Sequence, residues 1–275
     1  MIDGSTHAAG PADNPGSAPA AGSAHAAEPT HVAELARAVE LAHAVELAHA
    51  AELVLLDLDG PVARLFPGDT WLEVSAQVRA LAARHGDEAL VEALGDEPDH
   101  VQCLRVVGAH APHLLPQLSA PCTDLELQAA RRVRPPEHAL AFIEQALDRG
   151  SLVAVVTNND PRVVPLLLEP VRPGLSSLLL GVYGRSPDRV DDLKPAPDLL
   201  RAALADGGAD PARSLFLGDS VTDVEAGLAA GVVVVGVADG AGRRAQLLDA
   251  GAVAAVPDLG WLLEGSDGTP PDGTS

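Results

Sequence analysis

Five short stretches of this chain are apolar almost from end to end, with helical sequence between them. They are ELVLLDL (52–58), LVAVVT (152–157), LLLGVY (178–183), SLFLGD (214–219) and VVVVGVA (232–238). A strand with one wet face would alternate apolar and polar residues. A continuous apolar run needs cover on both faces. Alternation with helical segments such as 136–149 and 196–206 therefore predicts an α/β fold, a parallel sheet with helices on both faces. VAAVP (253–257) is a weaker sixth strand. Aromatic residues are 2% of a chain that is 47% hydrophobic, so the core must be aliphatic.

One interval breaks the alternation. Between Pro67 and Arg134 no strand is expected. Trp71, Val74, Val78 and Leu81 recur at helical spacing, with Gly86 as a terminator. Further helices are expected over 88–94 and 99–108. Thr123 and Glu126 have the spacing of a capping box opening a helix through Arg132. The domain expectation is a core of 51–66 and 135–265 interrupted by an all-helical cap, 67–134, after the first strand. Ligands bind beyond the carboxyl ends of strands in such sheets, so the insertion would cover the site.

Residues 1–30 are rich in Ala, Gly, Pro and Ser, which predicts disorder. The repeat VELAHA then occupies 39–44 and 45–50. Its composition favours helix, but six residues advance a helix by roughly 600°. Leu35, Leu41, Leu47 and Leu53 thus point in different directions and form no coiled-coil seam. His25, His31, His43 and His49 follow the same lattice and make no metal site. Residues 1–50 are expected to be a low-complexity, partly helical tail outside the catalytic fold, and 266–275 a disordered tail.

The formal net charge is −21. Such a surface repels nucleic acid and anionic membranes. A small anionic substrate stays possible, because a local cation reverses the field inside a cleft. There is no signal-peptide pattern and no apolar run of about 18 residues, so a cytoplasmic protein is the expectation. Cys103 and Cys122 lack redox or metal spacing and are expected to be buried structural residues.

Four polar clusters end or follow the apolar runs: DLDG at 57–60, TNN at 157–159, Lys194 in KPAPD, and GDSVTD at 218–223. In a parallel sheet they converge on one edge. Asp57, Asp59 and Asp219 would repel there unless a hard divalent cation joined them; Mg2+ (magnesium) takes oxygen ligands and commonly bridges to phosphate. Thr157 and Asn158 would donate hydrogen bonds to a phosphoryl group, and Lys194 would add a compact charge. Lys194 is the chain's only lysine, beside seventeen arginines. A planar guanidinium fork cannot replace a slim ammonium between a carboxylate and a tetrahedral phosphoryl group.

These motifs, in this order, resemble the haloacid dehalogenase-like hydrolases over residues 51–260, with AGLAAGVVVVGV (226–237) adding to the likeness. The cap after the first motif is similar to the phosphoglycolate phosphatase and β-phosphoglucomutase branch. The resemblance implies a Rossmann-like core and a Mg2+-dependent phosphatase acting on a small phosphorylated metabolite. Asp57 would be the nucleophile and form an aspartyl-phosphate. Asp59 would be the general acid, then the base. The metal would be held by the Asp57 side chain, the Asp59 carbonyl and Asp219; Thr157, Asn158 and Lys194 would bind the phosphoryl group. Asp223 would orient Lys194 or hold metal waters.

Asp59 argues against a dehalogenase, which has no leaving alcohol to protonate. A phosphonate hydrolase of this family needs a cap lysine, and the cap has none. A phosphomutase and a catalytically idle binding module on the same fold are the alternatives. Pro61 departs from the family's usual Thr or Val and is expected to stiffen the turn after the first motif. Arg64 could face substrate or solvent. His110, His113, Arg131, Arg132 and Arg134 are expected at the surface.

Overall fold

Each all-apolar run becomes a strand, buried at every position in LVLL (53–56) and SLFLG (214–218). The computed structural model describes residues 28–66, 71–85 and 87–263. In chain order its elements begin with helix α1 (Glu28–Ala50), strand β1 (Leu53–Leu56), and helices α2 (Trp71–Arg84), α3 (Glu88–Leu94), α4 (His100–His110) and α5 (Leu115–Arg132). Then follow α6 (Glu137–Asp148), β2 (Leu152–Val156), α7 (Val163–Leu168), α8 (Leu175–Leu178), β3 (Gly181–Tyr183) and α9 (Asp198–Gly207). The chain closes with β4 (Ser214–Gly218), α10 (Val221–Ala230), β5 (Val233–Val237), α11 (Ala241–Ala250) and β6 (Ala254–Val256).

All six strands pair in parallel, in the order β3-β2-β1-β4-β5-β6. Every residue of β1 is buried, as a strand at the centre of such a sheet requires. One covering layer packs Leu53, Leu55 and Phe216 with Leu200 and Val224; the other packs Val54, Leu56 and Leu217 with Phe142 and Ile143. The third strand is shorter than expected. Leu178 ends α8, and only Gly181–Tyr183 pair with β2. Among the described residues no helix is long and apolar enough to cross a membrane.

Helices α2 to α5 lie between β1 and β2 in sequence and pack on one another. Val74 and Val78 of α2 are buried, as the spacing predicts. Gly86, expected to end α2, lies outside the described residues. Asp87 caps α3 through Leu90 N–H (2.9 Å), and Asp99 caps α4 through Val101 N–H (2.7 Å).

The Thr123–Glu126 pair is not a capping box. Helix α5 starts eight residues earlier, at Leu115, and runs through Pro121. Glu126 is fully buried in mid-helix and binds Arg185 through both carboxylate oxygens at 2.6 Å. It also accepts Asp160 N–H at 2.8 Å, and Thr123 Oγ1 meets Arg185 Nη2 at 3.4 Å. The partner that decides the role of Glu126 is 59 residues away, so local spacing could not reveal it. A buried pair of this kind ties the insertion to the loops after β2 and β3; removing one partner would strand a charge, at about 3–5 kcal/mol.

The chain divides into compact units of residues 1–36 and 37–275. Residues 37–50 of the expected tail belong to the larger one. Ala44 and Ala48 are fully buried in the same cluster as Val54, Leu215 and Val235. Glu40 Oε1 accepts Ala255 N–H at 2.8 Å and ion-pairs with Arg244, and His49 Nε2 lies 3.1 Å from Leu262 O. Residues 40–49 are thus not an appendage. The six-residue leucine spacing hid an i, i+4 face built on alanine, which a helix needs for close approach. His31 and His43 are exposed, and His25 lies outside the described residues.

This packing gives a stability prediction. Ala48→Asp places a carboxylate in an apolar layer and should cost about 2 kcal/mol or more, a drop of several degrees in Tm for a domain of this size. Ala42→Asp, on the exposed face of α1, should leave Tm nearly unchanged. Equal thermal shifts for the two variants would contradict the docking of α1.

Candidate active site

Strands β2, β1 and β4 are neighbours and end level with one another: Leu56 pairs with Val155 on one side and Leu217 on the other. The chain builds outward from β1 in both directions, so a crevice opens between β1 and β4, where α/β sheets bind ligands. Asp57, Thr157 and Asp219 follow these strands and face that crevice.

Lys194 lies at its centre. Its ammonium is buried and contacts Asp57 Oδ1 at 2.5 Å, Asp223 Oδ1 at 2.7 Å and the Val156 carbonyl at 3.1 Å. The Phe216 ring lies beneath it, 5.6 Å from Nζ to the centroid. Burial alone would lower its pKa, but the Asp223 and Asp57 carboxylates outweigh that and raise it. The ammonium keeps its proton.

The loop carrying this lysine is clamped from two sides. Asn158 holds it through its side-chain amide: Oδ1 accepts Lys194 N–H at 2.9 Å and Nδ2 donates to Lys194 O at 3.1 Å. Asn158 also lines the cleft, and the second N–H of Nδ2 is not used in these two bonds. From the helical insertion, Arg105 Nη2 donates to Leu193 O at 2.8 Å and Lys194 O at 2.6 Å. Thr157 precedes Asn158 at the end of β2. Its hydroxyl accepts Asn159 N–H at 3.1 Å, leaving its own proton to donate, and the residue lines the cleft.

Asp57, Asp219 and Asp223 each bring an oxygen within 4.8 Å of the others, the one such group among the described residues. Asp223 is buried and doubly used. Its Oδ2 accepts Asp219 N–H (3.1 Å), Ser220 N–H (3.0 Å) and the Ser220 hydroxyl (2.7 Å), closing a capping box on α10, while Oδ1 faces Lys194. The crowding has an electrostatic cost. Burial, then the Asp223 charge, pushes Asp219 up to about 7. Burial also raises Asp57 well above the usual carboxylate range, with Lys194 pulling back and Asp223 and Asp219 pushing further. A hard cation among these oxygens would relieve the repulsion, so the donor set fits a divalent metal.

The Asp59 side chain stands apart from that triad. Burial raises its pKa, opposed mainly by the Leu65 N–H, which donates to Oδ1 at 2.9 Å. The turn after it explains Pro61. Gly60 N–H bonds Ala63 O, and the N–H groups of Val62 and Ala63 both reach Leu58 O, so the turn closes without a donor at 61. Gly60 itself is required: φ is +132°, and a Cβ there would lie 2.5 Å from Asp219 Cγ.

Arg64 is exposed and reaches Asp239 at 3.4 Å. His110, His113, Arg131, Arg132 and Arg134 are exposed. Cys103 and Cys122 are buried free thiols, raised by burial to about 11 and about 12, so they are inert packing residues. Sequence reasoning missed His100 and Arg105. Both come from α4 and reach the site only because the insertion folds back over the sheet.

The cleft around these residues has a volume of about 400 Å3 and includes Asp57, Asp59, Thr157, Lys194 and Asp219. With that geometry in place, the likeness to known proteins can be stated. Residues 193–262 match the HAD-hydrolase-like family. A phosphoglycolate phosphatase of Rhodospirillum rubrum is 30% identical over 219 residues, covering 76% of this chain and 88% of that protein. An N-acetylmuramic acid 6-phosphate phosphatase of Pseudomonas aeruginosa is 31% identical, covering 67% and 80%. Among solved structures, CbbY from Rhodobacter sphaeroides in complex with phosphate shares the fold, with a TM-score of 0.56 at 21% identity over 76% of this chain and 95% of that one. Similarity at this level, over most of both chains, makes this chain a member of the haloacid dehalogenase-like hydrolases.

Proposed function

We propose that the protein is a Mg2+-dependent phosphatase that hydrolyses a small phosphate monoester through an aspartyl-phosphate. The observation that supports this most directly is the buried Lys194 ammonium, bonded to both Asp57 and Asp223 with Asp219 alongside. The two full-length relatives are phosphatases, and both names denote phosphate esters that also carry a carboxylic acid. We extend that substrate class to this chain.

In this reading an Asp57 oxygen attacks phosphorus. The new O–P bond forms as the bond to the leaving oxygen breaks. Asp59, whose burial raises its pKa and so favours the acid form, gives its proton to that oxygen and releases the alcohol. The Asp59 carboxylate then takes a proton from water, whose oxygen attacks phosphorus, freeing phosphate and restoring Asp57. Lys194 and the Thr157 hydroxyl hold the phosphoryl oxygens. Asp57, the Asp59 carbonyl and Asp219 would hold Mg2+, which supplies positive charge against the phosphoryl oxygens. Helices α2 to α5, as a cap, would exclude bulk water from the cleft.

Asp57→Asn should abolish turnover of p-nitrophenyl phosphate, by at least about a thousandfold, with an unchanged circular dichroism spectrum. Lys194→Arg should lose at least about tenfold, some 1.4 kcal/mol of barrier, because the fork cannot fit among contacts at 2.5, 2.7 and 3.1 Å. Full activity in either variant would contradict the mechanism. Release of phosphate, rather than conversion of β-glucose 1-phosphate to the 6-phosphate, separates a phosphatase from a mutase.

A second test needs no turnover. A carboxyl raised to about 7 in the fold costs stability as pH rises from its ordinary value through 7, and a bound cation removes that cost. Added Mg2+ should therefore raise Tm more at pH 8 than at pH 6. An equal or larger shift at pH 6 would contradict Asp219 as a ligand.

A further inference from the structure

The helical insertion puts one side chain into the cleft whose hydrogen-bonding capacity is unused. His100 is the first residue of α4 and lines the cleft with Asp59, Thr157 and Lys194. Its side chain is 12% exposed. Both ring nitrogens are buried and lack a hydrogen-bond partner among the described residues. Buried polar atoms are nearly always bonded, so a pair left open in a substrate cleft marks a place for ligand.

The His100 ring is packed against a neighbour. The Phe66 ring meets it edge-on, with centroids 6.2 Å apart. Nε2 lies 3.7 Å from Glu126 Oε1, too far for a hydrogen bond, and Glu126 is held by Arg185. Neither ring nitrogen is therefore claimed by the protein, and both stay open to a ligand. Five residues along the same helix, Arg105 ties α4 to the carbonyls of Leu193 and Lys194. Helix α4 thus carries His100 at a fixed setting relative to the phosphoryl site. His100 lines the same cleft as Asp59, the acid that protonates the leaving oxygen in the phosphatase reading. Arg243, with its Nη1 3.2 Å from Asp219 O, lines the same cleft.

We infer that His100 is a specificity-determining residue, donating a hydrogen bond from the cap to a carboxylate on the leaving group. The assignment rests on the phosphatase reading and goes beyond it by naming the recognising residue and the group recognised. A short leaving group with a carboxylate near the ester oxygen would satisfy an open nitrogen. A plain aryl leaving group would leave it unbonded.

The test compares 2-phosphoglycolate with p-nitrophenyl phosphate for wild type, His100→Ala and His100→Gln, with Mg2+ present. His100→Ala should lower kcat/KM on 2-phosphoglycolate about tenfold or more, mainly through KM, and change the aryl ester by less than about threefold. His100→Gln, which keeps an amide donor, should recover part of the loss. Equal losses on both esters would mean that His100 serves folding or chemistry rather than selection, and no loss on either would mean it does not touch substrate; both overturn the inference and leave the phosphatase reading standing. Absence of wild-type turnover on both esters would remove that reading and this assignment together.

Discussion

A single buried ammonium organises this fold's working edge. Lys194 stands between Asp57 and Asp223, under the end of β2 and over the Phe216 ring. A lone buried ammonium would be driven to lose its proton; two carboxylates at hydrogen-bonding distance keep it charged. The reverse also holds. Asp57, Asp219 and Asp223 could not all stay ionised so close together without positive charge among them. Lysine answers part of that demand, and the room left by the third carboxylate suits a divalent cation. The sheet matters here because it delivers Asp57 and Asp219 from adjacent parallel strands in matched register.

The surroundings are arranged to hold that ammonium in place. Asn158 binds the Lys194 backbone through its amide, and Arg105 reaches across from α4 to the same carbonyl. The helical insertion is therefore coupled to the lysine directly. A second, fully buried tie, Glu126 with Arg185, fastens α5 to the loops beyond β2 and β3. In a chain of net charge −21 these arginines bind neutral and anionic atoms, Arg105 two backbone carbonyls and Arg185 the Glu126 carboxylate.

The fold was legible because buried parallel strands leave an unmistakable signature. LVLL, LVAVV and SLFLG need no partner information to be recognised, and the motif residues that end them converge by topology alone. What stayed hidden was set by distant partners. The T-x-x-E spacing at 123–126 matches a cap, yet Glu126 is claimed by Arg185. Asn158 sits in the expected motif, and its amide also holds the lysine loop. The VELAHA repeat advertises leucine, while the face that docks is Ala44 and Ala48. His100 has no local signal; its role depends on α4 lying over the sheet.

The central claim is that Asp57, beside its ammonium, carries the phosphoryl group. The most direct measurement is an acid quench of enzyme during turnover of a phosphate monoester, followed by borohydride reduction and peptide mass spectrometry. An aspartyl-phosphate reduces to homoserine, so the account predicts homoserine at position 57 in turning-over enzyme and none in enzyme without substrate. Steady turnover with position 57 unmodified, or with the mark at another carboxylate, would contradict it.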